Sequence, residues 1–305
     1  MRFAKSSGFY GRTLLCAAAF CFAFSGFASA FEQGSTKENL EARKHPMRFS
    51  WIACEPHCGS WISAVGLVTG ETPKAFNDFA AGRDLTGATV VLDSGGGSVN
   101  DAIALGRRWR ELGVRTTVGA SVVVKTVAGD RAAVLPEAYC ESMCVFVLLS
   151  GKTRYVPERA HVRVHQIWMG DRADDAKAAS YTAEDLMIVE RDIGRLAKYT
   201  FEMGGSGDLL NLALSIPPWE ALHELSPAEL RSANLMTTDR VADVLPGGEV
   251  VEAPVADLVT KPVQDRFPGI TNAPAAATMT GQPTKTAEAE SAGHAAASAA
   301  PDRPQ

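Results

Sequence analysis

The sequence lacks any apolar run of the roughly 20 residues that a membrane-spanning helix requires. Its cysteines never stand in a C-x-x-C pair. No Gly-Lys-Ser/Thr follows the glycine run Gly95-Gly96-Gly97, so that run is not a Walker-type phosphate loop. The third glycine of the dinucleotide fingerprint is missing as well. Basic charge is scarce: 30 Lys and Arg stand against 35 Asp and Glu, a formal net charge of −5. With a pI near 5.7 and no basic stripe interleaved with aromatics, nucleic acid is not an expected partner.

The two ends differ from the middle. At the N-terminus Arg2, Lys5 and Arg12 precede an apolar run from Leu14 to Phe27, which closes on Ala28-Ser29-Ala30. That order matches a secretory signal with a small-x-small cleavage site, so residues 1–30 are expected to leave the mature chain. An uncleaved signal anchor is the alternative. At the other end residues 253–305 are dominated by Ala, Pro, Thr and small polar residues, and large apolar residues nearly vanish after Ile270. Such a segment buries too little surface to offset its ordering entropy, so a disordered tail is expected. Residues 31–252 remain, enough for a single domain with a sizeable core.

Of the six cysteines, Cys16 and Cys21 fall within the signal. Cys54, Cys58, Cys140 and Cys144 form two pairs spaced four apart. In an exported, periplasmic chain these are expected as disulfides rather than metal ligands. The local pairings are preferred, because adjacent helical turns bring alpha carbons within bridging range; the crossed pairings stay open.

Along the domain, "ATVVLD" is an apolar run typical of a buried parallel strand, followed by the "DSGGGS" turn and the amphipathic "VNDAIALGRRWREL" helix, which Gly113 ends. "AGDRAAVLPEAYC" reads as loop, "ESMCVFVLLSG" as a buried helix, "RAHVRVHQ" as a strand and "YTAEDLMIVERDIGRLAKYTFEMGG" as a long helix. Strand–turn–helix units in series predict a layered α/β fold with functional groups at strand ends.

Three features carry chemistry. The glycine run lets backbone N–H groups approach a ligand; a plain tight turn is the competing explanation. Ser142 stands at a helix start, where a serine is most often an N-cap. His165 closes a strand, where a histidine is usually a hydrogen-bonded structural group. Their order along the chain changes the weighing. "SGGGSV", "ESMCVFVLLSG", "VRVHQ" and "LSPAELRSANLM" together resemble the proteolytic subunit of the Clp protease and its wider Clp/crotonase-like superfamily, over roughly Ile62 to Thr237. The resemblance implies a single-domain Clp/crotonase-like α/β fold of repeated strand-strand-helix units. It also implies Ser142 as nucleophile, His165 as general base, and Gly97 and Met143 as backbone N–H donors of an oxyanion hole. No cofactor or metal is implied.

Where the family has its third catalytic residue, an aspartate, this chain has Leu222. Glu220 and Glu224 are the candidate replacements, with His223 beside them. The resemblance therefore leads to an exported serine hydrolase, expected to be a serine-type endopeptidase. Its substrate would be a peptide or unfolded polypeptide, without the ATPase partner of cytoplasmic relatives, and the chain would form a homo-oligomer through the long helix. The alternative is a catalytically inactive binding module that keeps the fold. A crotonase-type acyl-thioester enzyme is disfavoured, since coenzyme A thioesters are cytoplasmic. The segment preceding Ser142 is expected to cover the cleft.

Overall fold

The computed structural model describes residues 41–54, 58–126, 129–170, 177 and 180–247. The expected signal at 1–30 and tail at 253–305 lie outside the described residues. The chain is mixed α/β.

Its main sheet has the order β1 (Arg48–Ile52), β2 (Trp61–Val65), β3 (Thr89–Asp93), β4 (Arg115–Val118) and β8 (Arg154–Tyr155). Only β1 is antiparallel to its neighbour; β2, β3, β4 and β8 run parallel. All five residues of β3 are buried, as a strand covered on both faces requires. Ile62, Ala64, Val90 and Leu92 face the larger core with Trp109 and Phe76, while Trp61 and Val91 face a smaller cluster with Cys54, Val134 and Leu245.

A second rank of short parallel pairings follows the first. Val68 bridges Gly97, Ser94 bridges Cys140, and β7 (Tyr139–Glu141) pairs β9 (His161–Val164). After each second-rank segment the chain passes to a helix: α1 (Thr72–Ala80), α2 (Val99–Leu112), α3 (Met143–Leu149) and, after β9, α4 (Ala183–Glu202). The order strand, short strand, helix thus recurs four times. α5 (Gly207–Ser215), β10 (His223–Glu224), antiparallel to β9, and α6 (Pro227–Ser232) complete the fold.

Two local expectations are corrected. The segment read as loop before Ser142 contributes β6 (Gly129–Leu135), which forms a seven-residue antiparallel hairpin with β5 (Ala120–Thr126), and then β7. Nor does any described residue of the hairpin line the cavity beside Ser142. The hairpin lies over the second face of the main sheet, where Trp61 and Val91 need cover: Val134 joins their cluster, and Trp61 Nε1 donates to Ser121 Oγ at 2.9 Å. An apolar sheet face left to water would forfeit roughly 25 cal/mol for each Å².

α3 is buried at every position, so it holds no amphipathic stripe. Its C-terminal carbonyls are met by cations. Arg110 Nη2 donates to Leu149 O at 3.0 Å, and Arg154, itself buried, donates to Leu149 O at 3.4 Å and to Gly151 O, just past the helix, at 2.6 Å. Burial lowers the Arg154 guanidinium to about 10, still charged at neutral pH.

At the end of β3, Asp93 is buried, and burial pushes its carboxyl up to about 6. Arg43, 3.7 Å away, and the Tyr139 N–H at 3.1 Å pull it down without winning. Folded Asp93 therefore holds its proton more tightly than the unfolded chain does. Its contribution to stability is fully present below about pH 4 and lost as pH rises through about 6, a few kcal/mol by linkage. Thermal unfolding from pH 4 to 7 checks this: the difference between the protein and Asp93→Asn should change across that window and stay flat above it.

Candidate active site

Ser142 sits where β7 turns into α3. Its backbone has φ 54° and ψ −123°, a conformation that side chains other than glycine rarely take. The turn is fixed from three directions. The Ser142 N–H donates to Arg163 O in β9 at 2.8 Å, Val145 N–H donates to Ser142 O at 3.1 Å, and Gly96 packs directly against it. A serine at a helix start usually caps the helix through its hydroxyl, but this one makes no cap bond. The sharp strand-to-helix turn instead resembles, in its mechanics, the nucleophile elbow of α/β-hydrolases.

His165 follows the last residue of β9, and its ring lies 4.3 Å from that of Trp168. Its Nδ1 is 2.7 Å from Gln166 O. A carbonyl only accepts, so Nδ1 carries the hydrogen in this bond, and in the neutral ring Nε2 is left as the acceptor. Gln166 is itself tied to the rest of the fold, because its N–H donates to Ile216 O at 2.8 Å in the loop after α5.

Gly97 has φ +134°, and a Cβ there would run into Val68 O. The Val68–Gly97 bridge uses Val68 N–H to Gly96 O at 2.7 Å and Ser98 N–H to Val68 O at 2.9 Å. The Gly97 N–H lies between these two bonds and takes no part in them. The Met143 N–H, first in its helix, has no intrahelical acceptor.

Ser142, Met143, Gly97 and His165 line one cavity of about 180 Å³, walled by Phe146, Trp168 and Leu196 and closed by Leu210, Ala213 and Leu214 of α5. The four residues singled out in the sequence therefore meet. Among the described residues no hydrogen bond joins Ser142 to His165, a contact that catalytic sites often tighten only on substrate. Trp168 and α5 were missed. The α5 sequence "GDLLNLALS" offered a signal, an N-cap at Ser206 followed by apolar residues in helical period.

The candidates for a third member lie elsewhere. Glu224 Oε1 is 2.7 Å from His161 Nδ1, and its Oε2 accepts from Arg163 Nε at 3.0 Å. Burial pushes the Glu224 carboxyl up, but the hydrogen bonds from His161 and Arg163 outweigh it and hold it below the usual range. Glu220 is exposed, and His223 pairs with Glu229 at 2.9 Å. The bond observed on His165 Nδ1 goes to the backbone. Glu220→Gln and Glu224→Gln are accordingly expected to leave the reactivity of Ser142 essentially unchanged. A loss of about 10²-fold or more in rate of labelling by a serine-directed probe would give that carboxylate the orienting role.

Both disulfides are local: Cys54–Cys58 with a Cα separation of 5.2 Å and Cys140–Cys144 with 5.1 Å. The pairing matches the preferred one, but the reason differs. Cys140 is in a strand and Cys144 in a helix, so the bond crosses the turn at Ser142 rather than joining adjacent helical turns. Cys54–Cys58 lies in the connection between β1 and β2.

Among the described residues no group of three or more His, Cys, Asp or Glu could hold a metal ion, and no helix is long and apolar enough to cross a membrane. No protein-family model matches the chain, and no curated protein matches it.

Proposed function

We propose that this chain is a serine hydrolase, a peptidase acting on short or unfolded polypeptides outside the cytoplasm, built on a Clp/crotonase-like fold. The observation that carries the reading is the backbone of Ser142: a non-glycine residue at φ 54°, making no cap bond, on the wall of a cavity that it shares with His165. Strain of this kind costs of order 1–3 kcal/mol and persists where the surroundings impose it, most often at functional sites. The fourfold strand, short strand, helix order supports the fold, and two disulfides support an oxidising compartment.

In the mechanism that follows, Ser142 Oγ attacks the substrate carbonyl while His165 Nε2 takes its proton. The N–H groups of Gly97 and Met143 donate to the oxyanion that forms. The Gln166 carbonyl keeps Nδ1–H in place and faces the imidazolium with its negative end. His165 then gives the proton to the leaving amine, and water, deprotonated by the same nitrogen, releases the acyl group from Ser142. Without ATP outside the cytoplasm no unfoldase drives substrate in, which limits it to chains that enter unaided. A homo-oligomer through α4 belongs to the same proposal.

Fluorophosphonate labelling of the oxidised protein tests the reading. An adduct on Ser142, absent from Ser142→Ala, is the expected result. A folded protein that never labels leaves the non-catalytic binding module as the function.

A further inference from the structure

The Cys140–Cys144 bond encloses five residues with Ser142 at their centre. Its two ends sit in the least yielding parts of the site. Cys140 pairs Val162 in β9 on one side and bridges Ser94 on the other. Cys144 belongs to α3, whose every residue is buried. Both cysteines are wholly inaccessible to solvent. Between these fixed points the chain must turn from strand to helix, and it does so through the positive φ of Ser142. So short a loop leaves the bond little denatured-state entropy to remove compared with a long one, so its local effect weighs more.

We infer that the Cys140–Cys144 disulfide is a positioning device for Ser142, holding the strand-to-helix turn in the conformer that presents the hydroxyl to the cavity. This rests on the reading of Ser142 as a nucleophile. The bond does not touch substrate; it acts through the backbone of the residue that does. Without it, Ser142 is free to relax toward ordinary dihedrals, drawing its hydroxyl and the Met143 N–H away from the reacting atoms.

The molecule supplies its own control. Cys54–Cys58 closes a loop of the same length, with a similar Cα separation, and packs in the cluster of Trp61 and Val91 rather than at the cavity. Any effect that comes from cross-linking a short loop is common to both bonds; positioning of Ser142 belongs to one.

The experiment compares the oxidised protein with Cys140→Ala/Cys144→Ala and Cys54→Ala/Cys58→Ala. It reads three quantities: fluorophosphonate labelling rate, melting temperature, and amide hydrogen exchange over residues 141–145. Loss of Cys140–Cys144 should slow labelling by roughly tenfold or more, the change expected when a residue strained to this degree can relax. Exchange at 141–145 should rise with it. Loss of Cys54–Cys58 should lower the melting temperature while labelling and exchange at 141–145 stay as they are. Unchanged labelling without Cys140–Cys144, or parallel slowing in both variants, overturns the inference. If the oxidised protein does not label at all, the hydrolase reading fails and exchange alone decides. A rise at 141–145 confined to Cys140→Ala/Cys144→Ala supports the clamp, and equal exchange in both variants overturns it.

Discussion

Replacing His165 by alanine is expected to slow acylation of Ser142 by roughly 10⁴-fold or more, with the fold intact. A serine hydroxyl is a weak nucleophile until a positioned base takes its proton, and His165 is the imidazole on the wall of the Ser142 cavity. The residue is only partly buried, so its loss opens no deep core cavity. Nucleophile and base act as a unit, which makes the variants non-additive: Ser142→Ala/His165→Ala should hydrolyse peptides no more slowly than Ser142→Ala alone. Initial rates on an unfolded polypeptide, beside melting temperatures for all three variants, check both statements. A His165→Ala protein that labels at the parent rate would make the imidazole structural and would withdraw the mechanism.

The second large effect belongs to Gly96. Its φ is +90°, and a Cβ there would lie 2.6 Å from Glu141 O, 2.7 Å from the Ser142 Cβ and 2.9 Å from the Met143 N. All three belong to the turn at Ser142, and two are backbone atoms that cannot swing aside. Gly96→Ala should therefore cost about 3 kcal/mol or more, from overpacking plus left-handed strain. It should also slow Ser142 labelling by about 10²-fold or more through displacement of an oxyanion donor. Gly82→Ala separates the two causes. Gly82 has φ +73° with nothing within 4 Å of an added Cβ, so the backbone term alone remains, roughly 1–2 kcal/mol, with labelling unaffected. Chemical denaturation and labelling rates on the two variants give the comparison.

The parts legible in the sequence are those where local chemistry and tertiary role agree. β3 is an apolar run because both its faces are covered, and α2 announces itself by its amphipathic run and the Gly113 stop. The alternation in β9 shows because Val162 and Val164 are buried while His161 and Arg163 reach the surface. The hairpin strand β6 was illegible: a charged start and a proline just past its end read as loop, and only the apolar second face of β2 and β3 explains why it is there. β10 has two residues, too few for any pattern. A partner for His165 was sought among carboxylates, whereas its Nδ1 bonds a main-chain carbonyl, and every residue type carries one.

The cavity wall runs from Val68 to Leu214, and its pieces come from six separate stretches of chain. Contacts so distant in sequence form late and slowly, since loop closure must precede any gain from them. The two disulfides need only four residues of separation and so can close while the rest of the chain is still unstructured. A newly made chain would thus acquire its cross-links first and the setting of Ser142 last. On the proposed function, that interval would keep the molecule silent while it is still an unfolded polypeptide of the kind it is proposed to cut.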